Sequence, residues 1–262
     1  MKLVFAFLLL PMVAFADESP AQAPKTIRFQ AGDKLQITAD LYVAHDDEET
    51  SWIVLCHQAQ WSRGEYVEIA PKLNRLGFNC MALDQRSGKG VNGVANETAV
   101  RARQGGKTTA YIDAIQDIQA ALHYVRKHHS KGQVIAWGSS YSASLVLKLA
   151  GDQPELLDGV IAFAPGEYFE RQGKTGDWIQ RSAKKLQQPV FITSARKERS
   201  VWYPIYEAIP SDRKAYYLPA TKGQHGSRAL WKAFEDHQGY WEAIQSFLDE
   251  HFKRAEQGPQ DS

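Results

Sequence analysis

Past Trp52, short uninterrupted apolar runs alternate with longer amphipathic segments. "WIVLCH" precedes "EYVEIAPKLNRLG", a helical pattern over 65–77. "NCMALD" precedes "TTAYIDAIQDIQAALHYVRKHH", and "QVIAWG" precedes "SASLVLKLAG". "LDGVIAFAP", "PVFITS" and "KAYYLPA" follow, and "GYWEAIQSFLDEHFKR" closes the series. Continuous apolar strands separated by helices predict an α/β fold, with a mostly parallel sheet, helices on both faces and right-handed crossovers. Upstream, "KTIRFQAGDKLQITADLYVA" alternates apolar and polar residues around Gly32-Asp33. That pattern predicts an N-terminal antiparallel hairpin at the sheet edge.

Composition adds one domain and a partner class. With 262 residues, 44% of them hydrophobic, the chain can bury a large core. Lys and Arg number 31 against 30 Asp and Glu, so no charge excess points to nucleic acid or to an anionic membrane. A small molecule is the expected partner.

The first residues, "MKLVFAFLLLPMVAFADESP", place one Lys before an apolar run that ends at Ala14-Phe15-Ala16. This is the layout of a signal peptide over 1–16, cleaved after Ala16, and it predicts export to a bacterial periplasm or beyond. The run is shorter than the roughly 20 residues of a membrane span, so no stable membrane insertion is expected after cleavage. A short joint over 17–24 leads into one domain over 25–254, and 255–262 reads as a polar tail. Cys56 and Cys80 fall on neighbouring predicted strands, offset by roughly 10 Å along them. That is too far for a disulfide, and two buried free thiols are expected. Asn96-Glu97-Thr98 spells a glycosylation sequon, here read as chance.

The chemistry concentrates in "WGSSYSASL", residues 137–145. A strand ending in Gly138, then Ser139-Ser140-Tyr141-Ser142 and a helix, is the context in which G-x-S-x-G forms a nucleophile elbow with Ser140 at its centre. The last position holds Ser142 in place of Gly. A bland role for Ser139 or Ser140 would be to cap the helix N-terminus. A serine nucleophile needs a general base and an acid that orients it, which in this fold class follow in the order Ser, Asp/Glu, His. Glu198 lies just past "PVFITS", and His225 lies between Gly223 and Gly226, just past "KAYYLPA". Asp212, too near the start of the last strand, and Asp84 are the other acids considered.

These residues resemble the α/β-hydrolase superfamily, and within it the dienelactone-hydrolase-like branch of small serine esterases. The quotable motifs are "LCHQAQWSRGEY", "ALDQRSGKG", "GSSYS", "TSARKE" and "GQHG". The resemblance implies a carboxylic ester substrate cleaved through an acyl-enzyme, with Ser140, His225 and Glu198 as the triad; no ligand cluster in the sequence has metal spacing, so no metal or organic cofactor is expected. It implies an oxyanion hole from the main-chain amides of Tyr141 and of Ala59, with Gln58 the neighbouring candidate. Dienelactone hydrolases use a cysteine where this chain has Ser140, so their particular chemistry is not carried over. Asp84 and Arg86 resemble the family's strand-end Asp-x-Arg, a structural brace. The short connection between "VIAFAP" and "PVFITS" implies a minimal lid and an open site, with Trp61, Tyr168, Phe169 and Trp178 as candidate pocket lining. Two rival readings are a prolyl-peptidase-like serine peptidase and a non-catalytic binding protein on the same fold.

Overall fold

A computed structural model describes residues 23–252; the stretch expected to be a signal peptide, most of the expected joint and the expected polar tail lie outside the described residues. In chain order the elements are β1 (Lys25–Gln30), β2 (Gln36–Tyr42), β3 (Trp52–Cys56), α1 (Ile69–Arg75) and β4 (Asn79–Leu83). Next come a two-stranded ribbon, β5 (Gly90–Val91) with β6 (Val94–Ala95), then α2 (Glu97–Gln104), α3 (Ile115–His128), β7 (Val134–Ser139) and α4 (Tyr141–Asp152). The rest are β8 (Gly159–Phe163), α5 (Trp178–Ala183), β9 (Val190–Thr193), α6 (Arg199–Ala208), β10 (Lys214–Tyr217) and α7 (His237–His251).

The main sheet has the order β1-β2-β4-β3-β7-β8-β9-β10. The expected hairpin forms its edge: β1 pairs antiparallel with β2, which pairs antiparallel with β4, and every later pairing is parallel. Side chains alternate across the strands and divide the core in two. Val54, Met81, Ala136, Val160 and Ile192 pack on one face with Ile118 and Leu122 of α3 and Val146 of α4. Ile53, Leu55, Trp137, Phe163 and Phe191 pack on the other with Leu73 of α1 and Tyr240, Ile244 and Leu248 of α7.

Register settles the cysteines as well. Cys80 stands opposite Ile53 and Cys56 opposite Leu83, so the thiols are three residues apart along the strands. They also point into opposite halves of the core, both free and buried.

Three local features depart from the sequence pattern. The helix expected over 65–77 divides into a 3-10 turn, Arg63–Tyr66, and the short α1, because Arg63 and Glu65 are drawn inward by buried partners. The helix α2 was not anticipated; it begins at Asn96, whose side chain accepts from Ala99 N at 2.7 Å. That Asn is fully buried, so the sequon is a helix cap. The helix α6 was hidden by its internal Pro204, which cannot donate to the preceding turn.

Candidate active site

The strand β7 delivers Ser140 in a backbone conformation that L-residues rarely adopt, φ 60° and ψ −122°. Strain of this kind, of order 1–3 kcal/mol, persists only where the surroundings enforce it. Here Ser140 N donates to Phe163 O at 2.7 Å and Ala143 N donates back to Ser140 O at 2.9 Å. At Gly138 any Cβ would stand 2.4 Å from the Ala143 backbone, so strand and helix can close this turn only around glycine.

The neighbouring serines have separate structural tasks. Ser142 Oγ accepts from Ser139 N at 2.9 Å and donates to Cys56 O at 2.8 Å, pinning the start of α4 to the adjacent strand β3. Ser144 Oγ accepts from Gly166 N at 2.8 Å and donates to Gly166 O at 2.7 Å. Ser139 Oγ donates to Glu65 Oε1 at 2.7 Å. Neither Ser139 nor Ser140 caps α4: Ser140, at the cap position, makes no side-chain cap bond. Its hydroxyl instead donates to Nε2 of His225 at 2.8 Å.

From there the chain of contacts continues. Nδ1–H of His225 donates to Glu198 Oε1 at 2.9 Å, and Glu198 Oε2 accepts from Ala195 N at 3.2 Å. The loops that carry the acid and the histidine are joined by Arg196 N donating to Lys222 O at 2.9 Å. Ser140, Glu198 and His225 are thus brought together, each at the carboxyl end of a strand and each partly open to solvent. Asp84 and Arg86 stay out of this cluster. Asp84, held by Arg63 Nη1 at 2.6 Å and pushed up to about 6 by burial, fixes the loop after β3. Arg86 is buried against Asp117 at 2.7 Å and Asp33 at 3.0 Å.

The loop His57-Gln58-Ala59 lies against the elbow. Burial lowers His57 to about 4, keeping its ring neutral. Nδ1–H donates to Gln58 O at 2.8 Å, and Nε2 accepts from Gln85 N at 3.0 Å. Gln85 Oε1 accepts from His57 N at 2.8 Å, and its Nε2 donates to the Tyr141 hydroxyl at 3.1 Å, so one side chain ties this loop to the first residue of α4. The Gln58 amide is unavailable as an oxyanion donor, because it donates to Glu65 Oε2 at 2.7 Å. That leaves Ala59, half-buried, together with Tyr141, whose N–H belongs to the open first turn of α4.

The aromatic candidates part ways. Trp61, half-buried, stacks on Trp231 with ring centroids 5.3 Å apart. The Tyr168 hydroxyl donates to Ala164 O at 2.8 Å and lies beside the Ser140 side chain. Phe169 is a correction: the connection after β8 carries it into the core, 1% exposed, edge-on to Trp178 at 5.0 Å. The Trp178 ring is likewise covered, by Lys148 at 4.6 Å and Lys174 at 5.4 Å. A cavity of about 460 Å³ has Glu198 and His225 in its wall, with Arg196, Lys197, Lys222 and Arg228 around them. Among the described residues, no group of three or more His, Cys, Asp or Glu is placed to hold a metal ion.

Glu65 is the residue that sequence reasoning passed over. A Glu in an amphipathic run reads as solvated, yet here it is fully buried against Ser139, the residue before the nucleophile.

Comparison with known proteins agrees with this fold. Among solved structures the fold is similar to an esterase of Pyrococcus furiosus, with TM-score 0.67 and 16% identity over 92% of this chain and 98% of that chain. It is similar to a dienelactone hydrolase from Anabaena variabilis, with TM-score 0.66 and 12% identity over 88% and 100% of the two chains. A third likeness is to Est1E of Butyrivibrio proteoclasticus, solved with ferulic acid bound, with TM-score 0.64 and 13% identity over 86% and 98%. No curated protein matches. The model of the family described as serine aminopeptidase, S33, matches residues 47–189, more than half of the chain and inclusive of Ser140. The chain belongs to this S33 family of α/β-hydrolases and is a serine hydrolase.

Proposed function

We propose that this chain is an exported serine esterase that cleaves a carboxylic ester through an acyl-enzyme intermediate. The observation that carries the reading is the relay from Ser140 through His225 to Glu198, at 2.8 and 2.9 Å, with Ser140 strained at the start of α4. His225 takes the Ser140 proton as Oγ attacks the ester carbonyl, and Glu198 fixes the imidazole tautomer and stabilises the imidazolium. The tetrahedral oxyanion rests on the amides of Ala59 and Tyr141; one such donor is worth about 10² to 10³ in rate. His225 returns the proton to the leaving alcohol, and water repeats the sequence to free the acid. Export rests on the leader, and the mature chain is expected to begin at Asp17.

A second reading, aminopeptidase, is favoured by the description of the matching family. The two separate on kcat/KM for p-nitrophenyl esters against aminoacyl-p-nitroanilides. The esterase reading expects the esters to lead; anilides hydrolysed at comparable rates would replace it with the peptidase.

A further inference from the structure

Glu65 sits where the three loops of the site meet. Its Oε2 accepts from Gln58 N in the oxyanion loop, and its Oε1 accepts from the hydroxyl of Ser139, next to the nucleophile, both at 2.7 Å. Ser139 Oγ in turn accepts from Ser227 N at 2.9 Å, two residues past His225. The histidine loop can approach this closely only through Gly226. A Cβ there would stand 2.6 Å from both Ser139 Oγ and Gln58 Oε1.

We propose that Glu65 is a positioning residue that holds the Ala59 amide, Ser140 and His225 in register through these contacts. The inference rests on the serine-hydrolase reading of the site.

The contacts require the carboxylate form. Gln58 N–H can only donate, and the Ser139 hydroxyl, accepting from Ser227, turns its proton toward Glu65. A proton on either carboxyl oxygen would face one of these donors, and the Ser139 hydroxyl would have to turn away. Near it is Gln58 Oε1, a buried acceptor with no partner. The surroundings put this exchange within reach of ordinary pH. Burial pushes Glu65 up to about 7, against the opposing pull of its donors and of Arg228 on the turn after Gly226. The other titratable groups around it are Cys56 on β3, the adjacent Tyr66, Tyr141 on α4 and, through Gln58, the neutral His57. Turnover therefore needs two deprotonations, that of His225 and that of Glu65.

The test is the pH dependence of kcat/KM for p-nitrophenyl acetate in the wild type, Glu65→Gln and Ser139→Ala, beside intact-mass labelling of each by a fluorophosphonate. The wild type should lose activity below about pH 7 more steeply than one proton allows. Glu65→Gln should fall with a single proton from a plateau lower by on the order of 10-fold, as for other residues that orient reacting groups. Ser139→Ala removes a donor to the carboxylate and should move the steep limb to higher pH, which decides the matter even if Glu65→Gln does not fold. A labelled wild type with a one-proton limb, or a limb unmoved in Ser139→Ala, overturns the role of Glu65 and leaves the hydrolase standing. A wild type that neither labels nor turns over overturns both.

Discussion

Ser142 Oγ donates to the carbonyl of Cys56 at 2.8 Å, and through that bond the first turn of α4 is fastened to the neighbouring strand β3 as well as to its own. The same hydroxyl accepts from Ser139 N at 2.9 Å. A small residue at this position would satisfy sterics alone; the hydroxyl adds two buried partners. Ser142→Ala takes the acceptor from the buried Ser139 N, while Cys56 O keeps the Tyr66 hydroxyl at 2.7 Å; it should cost about 1–3 kcal/mol, read as a lower midpoint of chemical denaturation. An unchanged midpoint would mean that the elbow is held by backbone contacts only.

The backbone at Gly226 allows no side chain. Its φ of 74° disfavours L-residues, and a Cβ would collide with Gln58 Oε1 and Ser139 Oγ, each 2.6 Å away. Gly226→Ala should destabilise the fold by at least about 1 kcal/mol. It should also lower esterase activity more than Gly173→Ala, where φ is 78° but nothing crowds the added methyl. Equal losses in the two variants would remove the close approach as a cause.

Orientation of the base depends on Glu198, whose Oε1 accepts from His225 Nδ1. Glu198→Gln keeps the volume and can present an amide N–H to the ring, which favours the wrong tautomer. The expected loss is about 10⁴ in kcat with little change in thermal unfolding, the pattern of an orienting acid in a serine triad. A loss below about tenfold would shift the orienting role to another group.

Burial of Glu65 carries a linked pH dependence of stability. Its folded-state value of about 7 lies above the ordinary 4.5 of a solvated glutamate, so between these pH values the folded chain binds more protons than the unfolded one. Stability from this group therefore falls as pH rises through that window, by roughly 3 kcal/mol at most. Asp84 and Asp117, both raised to about 6 by burial, change in the same direction. The difference between Glu65→Gln and wild type cancels their share. The Tm of the variant relative to wild type should rise from pH 4.5 to 7; a flat difference would place Glu65 in contact with water.

The thiols of Cys56 and Cys80 point into opposite halves of the core, and burial pushes both up. The native protein should be inert to a thiol reagent at pH 8 and titrate two thiols once unfolded. Loss of both thiols to a disulfide would contradict the strand register.

The sheet was legible because apolar runs such as "VIAWG" and "VIAF" are buried on both sides, and the order of Ser140, Glu198 and His225 along the chain follows the order of the strands that present them. The cysteine separation followed from register alone. What escaped was set by partners remote in sequence. Glu65 lies 74 residues from Ser139 and is buried only because that hydroxyl and the Gln58 amide receive it. Phe169 and Trp178 carry no local mark of whether an aromatic faces a pocket or the layer between helices, and α2 depends on a cap whose Asn also hydrogen-bonds to Gln85 O. Tertiary contacts overrode local pattern in each case.

The central claim is that Ser140 is an activated nucleophile. Intact-mass spectrometry after incubation with a fluorophosphonate, wild type beside Ser140→Ala, tests it most directly. A single adduct on the wild type and none on the variant is the predicted result; an unmodified wild type, or an adduct that survives in Ser140→Ala, would contradict it.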